Sequence, residues 1–377
     1  MTLTDRRSLR ILQVVGGMVR GGIETWLMNV LRHIDRDRFQ MDFLVHTTQP
    51  CAYDDEIRAL GSRIIPCCNR RQPWLYARNF KQILRDYGSY DVVHSQVHLF
   101  SGFVLRLAEQ GKVPVRIAHM HPLTDIHQKS VLRPIYRRIM TRWLSKYTTH
   151  VIAPSKNSLE AFRAICDVSD KYTDILYNGI ELERFGRQLD KIEVRQKFNL
   201  PIDNPIVIYV ARFAPHKNHS QILRIADQIN QSGIQVHFVM VGSHGELLKA
   251  LKERVDTRND ISMITGIGDI SDILNAADVF FFPSLEEGFG VVAIEAAAAG
   301  LPVVATDIST IREACAPSHK AFMFPPNNDE VARRMILTIL KDEKLREKLS
   351  ADAKQWAANF SIEKSVNQLV SLYNTCN

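Results

Sequence analysis

No stretch of the 377 residues approaches the ~18–20 uncharged apolar residues that a membrane-spanning helix needs, so none is expected. The chain has six cysteines, Cys51, Cys67, Cys68, Cys166, Cys315 and Cys376, and their spacing matches neither a zinc site nor a C-x-x-C redox pair. The adjacent Cys67 and Cys68 read as plain thiols in a reducing cytosol. No G-x-G-x-x-G follows the first apolar run, so a dinucleotide fingerprint fits poorly. Helix-turn-helix, zinc-finger and RNP patterns are missing too, and nucleic acid is not an expected partner despite a net charge of +7. A cleavable leader is not expected either. The apolar run after Arg10 is short and enters glycines, which marks a first strand and not a signal peptide.

What is present is ordinary globular material. Apolar residues make up 45% of the chain and charged residues 24%, which argues against both disorder and a fibre. The length suits two domains, each with its own core. Charge is unevenly placed. Through Asp190 there are 28 basic and 19 acidic residues, a net +9, and the remainder carries 20 and 22, a net −2. A basic first half facing a near-neutral second half suggests that the first half meets an anionic surface or acceptor.

The most informative stretch is FFFPSLEEGFGVVAIEAAAAGLPVVAT, Phe280 to Thr306. An apolar strand ends at Pro283, because proline gives no ladder N–H. Glu286 and Glu287 follow, then a Gly288-Phe289-Gly290 loop and a helix that Gly300 and Pro302 bring to a stop. A second buried strand completes a strand–loop–helix–strand unit of a parallel sheet. Glu287 and Glu295 should project near the carboxyl end of the first strand, where open α/β sheets bind ligands. The glycines permit close backbone approach, and the helix N-terminus points N–H groups at an anion. The glutamates are then suited to hydroxyls of a sugar or ribose. A helix cap with a solvated acidic pair is the plainer alternative.

The run P-S-x-x-E-G-F-G-x-x-x-x-E-A-x-A-x-G-x-P-V-V-A closely resembles the signature of family-four retaining glycosyltransferases, and the I-A-H-M-H run at Ile117–His121 is similar to exopolysaccharide and capsule members. Ala297 stands where that family usually has Met. The resemblance implies an α/β chain of GT-B fold: two Rossmann-like domains facing across a cleft, with a C-terminal helix crossing back to the first. It places an acceptor-binding domain at 1–185, joined by the helix 361–377, and a nucleotide-sugar donor domain at 186–360.

In the first half, Arg10–Val15 reads as a buried strand, followed by a glycine turn and a helix from Glu24 to Ile34. Gly21-Gly22-Ile23-Glu24 resembles the family's G-G-x-E/Q loop, which implies that Gly22 faces the donor phosphate. Further strands are expected at Met41–Val45, Arg63–Pro66, Asp91–His94 and Val113–Ala118. His94, His119 and His121 then gather at the ends of neighbouring strands, with His119 and His121 pointing the same way. A metal site would need a convergence that spacing does not show, and none is expected. The family resemblance implies a histidine beside the transferred sugar, binding its hydroxyls. His119 is favoured and His121 is the alternative. Pro134–Tyr147 is a basic helix carrying Arg137, Arg138, Arg142 and Lys146 among apolar residues. Such a helix can lie on an anionic bilayer, or pack its apolar side on the sheet and leave the rest to water.

Asn178-Gly179 is a turn signal and resembles the turn that closes the family's first domain. Leu182–Asn204 is the expected connection, with one short helix near Lys191–Phe198. After the strand Pro205–Val210 come Arg212 and Lys217, five residues apart, a pair suited to a diphosphate: a planar fork and a point charge. Gly266-Ile267-Gly268 resembles the loop whose backbone, at Ile267, meets the nucleobase edge.

Taken together, the resemblance implies a retaining, metal-independent glycosyltransferase without a cofactor, using a nucleotide-sugar, UDP-sugar favoured over GDP- or ADP-sugar. The expected acceptor is a growing polysaccharide or lipid-linked saccharide. The expected location is the cytoplasm, with peripheral contact to the inner membrane face allowed. Arg212, Lys217, Glu287 and His119 would be catalytic. Gly22, Arg212, Lys217, Ile267, Glu287, Gly288, Phe289, Gly290, Val291 and Glu295 would bind donor. A nucleotide-sugar epimerase of the same fold and a catalytically silent nucleotide-sugar-binding module stay open.

Overall fold

The computed structural model describes residues 7–121, 133–168, 173–187 and 189–375, so Cys376 lies outside the described residues. The chain divides into two compact units, one running to Gly179 and resuming at Ile362, the other spanning Ile180–Ser361. The sequence-based division at 185/186 differs by the segment Ile180–Phe185, which groups with the second unit. Ile180 N–H donates to the Phe360 carbonyl at 2.9 Å, and the helix Leu182–Phe185 lies against the helix Val291–Ala298.

The first unit holds seven strands: β1 (Leu9–Val15), β2 (Phe39–Val45), β3 (Ile64–Pro66), β4 (Val92–Ser95), β5 (Val115–His119), β6 (His150–Ala153) and β7 (Thr173–Ile175). They pair in parallel in the order β3-β2-β1-β4-β5-β6-β7. Parallel strands need crossover helices on both faces, so both faces are apolar. Along β1, Leu12 and Val14 enter one core while Leu9, Ile11 and Val15 enter the other. Gln13 breaks that alternation.

β5 begins two residues later than the apolar run suggested, because Pro114 has no N–H for the ladder. It also ends one residue later, so His119 is the last strand residue, in register with Ile152. The C-terminal helix Ile362–Asn374 returns to this unit. Its Ile362, Val366, Leu369 and Tyr373, on one helical face, complete the second core. Trp26 Nε1 donates to Ser365 Oγ at 2.9 Å, which fastens that helix to the helix Gly22–His33.

The second unit holds six parallel strands: β8 (Ile206–Val210), β9 (His237–Gly242), β10 (Ile261–Thr265), β11 (Val279–Phe282), β12 (Val303–Thr306) and β13 (Met323–Phe324). Their order is β10-β9-β8-β11-β12-β13. β11 and β12 are wholly buried, as central parallel strands should be. The expected connection carries two helices, Leu182–Phe185 and Lys191–Lys197, where one was read from the sequence. Among the described residues no helix is long and apolar enough to cross a membrane.

Candidate active site

In the second unit the chain leaves β8 toward β9 and β10, then returns to β11 on the other side of β8. The loops after β8 and β11 therefore part at the carboxyl edge of the sheet. This is the topological switch point, where doubly wound sheets bind ligands. Arg212 and Lys217 stand on the first loop, and Glu287 through Gly290 on the second. The strand order thus brings together two segments about seventy residues apart in sequence.

Three links join the loops. Lys217 Nζ donates to Glu287 Oε1 at 2.5 Å, with the two side chains 13% and 11% exposed. Leu285 N–H donates to the His216 carbonyl at 2.8 Å. The Tyr209 hydroxyl, at the buried end of β8, donates to the Lys217 carbonyl at 3.0 Å and lies 2.8 Å from Ser284 Oγ. Asn218 adds a fourth link. It adopts a left-handed φ of 54° and its amide nitrogen donates to the Pro283 carbonyl at 3.3 Å. Arg212 is exposed, and among the described residues its guanidinium has no ion pair or side-chain hydrogen bond. It is the cation of this pair left open to a ligand.

Gly290 caps the helix Val291–Ala298 with φ +82°, a conformation that glycine adopts at little cost. A Cβ there would lie 3.0 Å from the Phe282 ring. Phe289 is buried against Phe360, their ring centres 5.6 Å apart, so it anchors the loop and keeps its side chain from a ligand. The first turn of the helix offers N–H groups at Val291 without intrahelical acceptors. One turn along, Glu295 is partly buried, and its carboxyl is pushed up to about 7 by burial, with Arg184 opposing and Asp269 adding to the rise. Arg184 Nε donates to Asp269 Oδ2 at 3.0 Å. Asp269 closes the Gly266-Ile267-Gly268 loop, where Gly266 has φ +80° and Ile267 is half-buried.

In the first unit Gly22 is the first residue of the helix Gly22–His33, directly after the glycine turn that follows β1. His94, His119 and His121 form a stack: ring centres lie 5.4 Å apart for His94–His119 and 4.4 Å for His119–His121, with interplanar angles of 17° and 26°. His119 and His121 do face the same way. Burial is the main cause that lowers all three, with neighbouring histidines adding to it at His119 and His121, and His94 and His121 fall to about 3. The rings are therefore neutral at neutral pH and serve as hydrogen-bonding groups. His119 is wholly buried and neither of its ring nitrogens has a hydrogen-bond partner. His121 lies past the end of β5, with Nε2 2.8 Å from Gln96 Oε1. His94 Nδ1 lies 2.9 Å from the Tyr373 hydroxyl, which also accepts from Gln13 Nε2 at 3.1 Å.

The basic helix runs Arg133–Tyr147. Met140 and Leu144 are buried, while Ile135 and Ile139 stay 59% and 40% exposed. Packing thus claims only part of its apolar surface.

Two family profiles cover most of the chain: "Glycosyltransferase Family 4" over residues 20–184 and "Glycosyl transferases group 1" over 190–356. A putative glycosyltransferase, EpsF of Bacillus subtilis (strain 168), is 32% identical over 312 residues, covering 80% of each chain. The chain belongs to glycosyltransferase family 4. This glycosyltransferase is also 25% identical to an N,N'-diacetylbacillosaminyl-diphospho-undecaprenol alpha-1,3-N-acetylgalactosaminyltransferase of Campylobacter jejuni, over 85% of this chain and 88% of that one. Its fold is similar to that of Anabaena Alr3699/HepE in complex with UDP and glucose. The TM-score is 0.82 at 20% identity, over 97% of this chain and all of that one. The two parallel sheets are thus the Rossmann-like domains of a GT-B glycosyltransferase.

Sequence reasoning named Arg212, Lys217, Glu287 and Glu295 of this candidate site but missed Tyr209, Asn218 and the Arg184–Asp269 pair. A lone hydroxyl-bearing residue in the apolar strand Ile206–Val210 was the available signal for Tyr209. The sequence carried no comparable signal for the Arg184–Asp269 pair.

Proposed function

We propose that this glycosyltransferase moves a sugar from a UDP-sugar, with retention of anomeric configuration and without a metal, to a growing polysaccharide or lipid-linked saccharide. The observation that carries the donor reading is the meeting of Arg212, Lys217 and Glu287 at the β8/β11 switch point. Arg212 and Lys217 offset charge as it grows on the departing diphosphate, the role that a metal would otherwise fill. The amides from Gly288 to Val291 take phosphate oxygens, and Glu287 takes hydroxyls of the donor sugar. Glu295 holds the ribose, and the backbone at Ile267 meets the base. Of the two histidines of the first unit, His121 is the candidate sugar contact, because His119 ends the strand with no exposed surface.

Attack occurs on the face that the leaving group vacates. The bond from the anomeric carbon to the phosphate oxygen breaks, the bond to the acceptor oxygen forms, and the acceptor proton passes to the departing phosphate. UDP is favoured because similar folds hold UDP. A lipid-diphosphate-linked acceptor accords with the basic first half and with the relative from Campylobacter jejuni. Such an acceptor would bring the enzyme to an anionic membrane face, and the exposed apolar and basic groups of Arg133–Tyr147 suit that contact.

A thermal-shift panel of UDP, GDP, ADP and CDP, with EDTA or with Mg²⁺, tests this. UDP should raise the melting temperature in EDTA. The sugar of the accepted donor is then followed by proton NMR, and an inverted anomer in the product would refute the retaining assignment.

A further inference from the structure

The Lys217–Glu287 pair has an effect on ligand choice that donor binding alone does not require. Lys217 is one of two cations placed for a diphosphate, yet its ammonium is taken by a carboxylate at 2.5 Å, and both side chains are largely shielded from water. The two loops are tied by Tyr209, by the Leu285 amide and by Asn218, so neither side chain is carried away by backbone movement. Glu286 beside it points to water and Arg212 is exposed, so Glu287 is the anion that a bound diphosphate would meet in the shielded part of the site. A diphosphate arriving here must share Lys217 with a fixed negative charge, and like charges in a partly dry site repel strongly.

We propose that Glu287 is a specificity residue that sets the intact nucleotide-sugar apart from the bare nucleoside diphosphate. The inference rests on the donor reading given above. When the sugar is present, its hydroxyls donate to the Glu287 carboxylate. These charge-assisted bonds offset the repulsion and leave Lys217 free for the phosphates. When the sugar has been transferred, no donor remains for Glu287. The carboxylate reclaims Lys217, and the spent diphosphate faces an uncompensated anion. The same pair that admits the donor therefore speeds departure of the product, a step that often limits turnover.

The test is calorimetric titration of the full chain with UDP, on wild type, Glu287→Gln, Lys217→Met and the double variant Glu287→Gln/Lys217→Met. Glutamine keeps a carbonyl for the Lys217 ammonium to donate to, and removes only the charge. UDP should bind Glu287→Gln about tenfold more tightly than wild type, equivalent to about 1.4 kcal/mol. Measured against Lys217→Met alone, the gain from Glu287→Gln should be smaller, because the share that comes from competition for Lys217 is gone and only the direct repulsion is relieved. Under steady-state turnover, product inhibition by UDP should rise in Glu287→Gln by a similar factor. A variant that binds UDP equally or more weakly, while wild type binds UDP and Arg212→Ala does not, would overturn the inference and leave the donor reading standing. UDP failing to bind wild type and every variant would overturn both.

Discussion

Replacing Tyr209 by phenylalanine removes one oxygen from beneath the candidate site. The ring keeps its packing against Phe282 and His219, with centres 6.1 and 5.1 Å away. What goes is the hydroxyl that donates to the Lys217 carbonyl and meets Ser284 Oγ. Ser284 is wholly buried, and no other side-chain bond of its hydroxyl is present among the described residues. The substitution leaves a buried hydroxyl and a carbonyl unpaired, a loss of about 2 kcal/mol. For a unit of this size that is a fall in melting temperature of about 4–8 °C. Removing both partners of a buried hydrogen bond costs less than removing one, so Tyr209→Phe/Ser284→Ala should recover part of the loss. The Lys217 backbone is then less firmly held, and donor KM should rise more than kcat falls. Differential scanning calorimetry and initial rates on the two variants decide this. A melting temperature within about 1 °C of wild type, with donor KM unchanged, would refute the reasoning that the hydroxyl clamps the two loops.

Arg212→Ala should lower kcat by about a hundredfold, because its guanidinium acts on charge that develops only as the diphosphate leaves. Glu295→Ala should instead raise donor KM; small, equal effects at both positions in steady-state kinetics would sink the assignment. Because burial raises the Glu295 carboxyl to about 7, it is ionised above that value. Donor KM should therefore climb as pH falls below about 7 and flatten in Glu295→Gln, which a pH series of initial rates would show. In the first unit His94 and His121 are held near 3, whereas the unfolded chain takes up their protons from about 6.5 downward. Stability should be complete above 6.5 and decline as pH falls toward 3, so urea midpoints should drop between pH 7.5 and pH 5 and drop less in His94→Gln.

The parallel strands could be read from the sequence because burial on both faces makes them continuous apolar runs, as in Val279–Phe282 and Ile206–Val210. The loop after β11 was equally legible, since Pro283 ends the strand and Gly290 stands where the next helix begins. Strand ends were less so. Pro114 delayed the start of β5, and pairing with β6 extended its far end to His119, which is buried, leaving His121 beyond the strand. Contacts between distant segments were not legible at all. Nothing near Lys217 in sequence says that its charge is met by Glu287, because that contact follows from β11 lying beside β8. Gln13 and Tyr373 likewise meet only because the last helix returns to the first sheet. Charged residues announce themselves by type, while their neutralisation depends on strand order.

The central claim is that the loops after β8 and β11 hold a nucleoside diphosphate through Arg212 and Lys217. Calorimetric titration of UDP in EDTA, on wild type and Arg212→Ala, addresses it most directly. The account predicts saturable binding to wild type and at least a tenfold loss of affinity in the variant, about 1.4 kcal/mol. Equal affinity in the two proteins, or no binding of UDP to wild type, would contradict it.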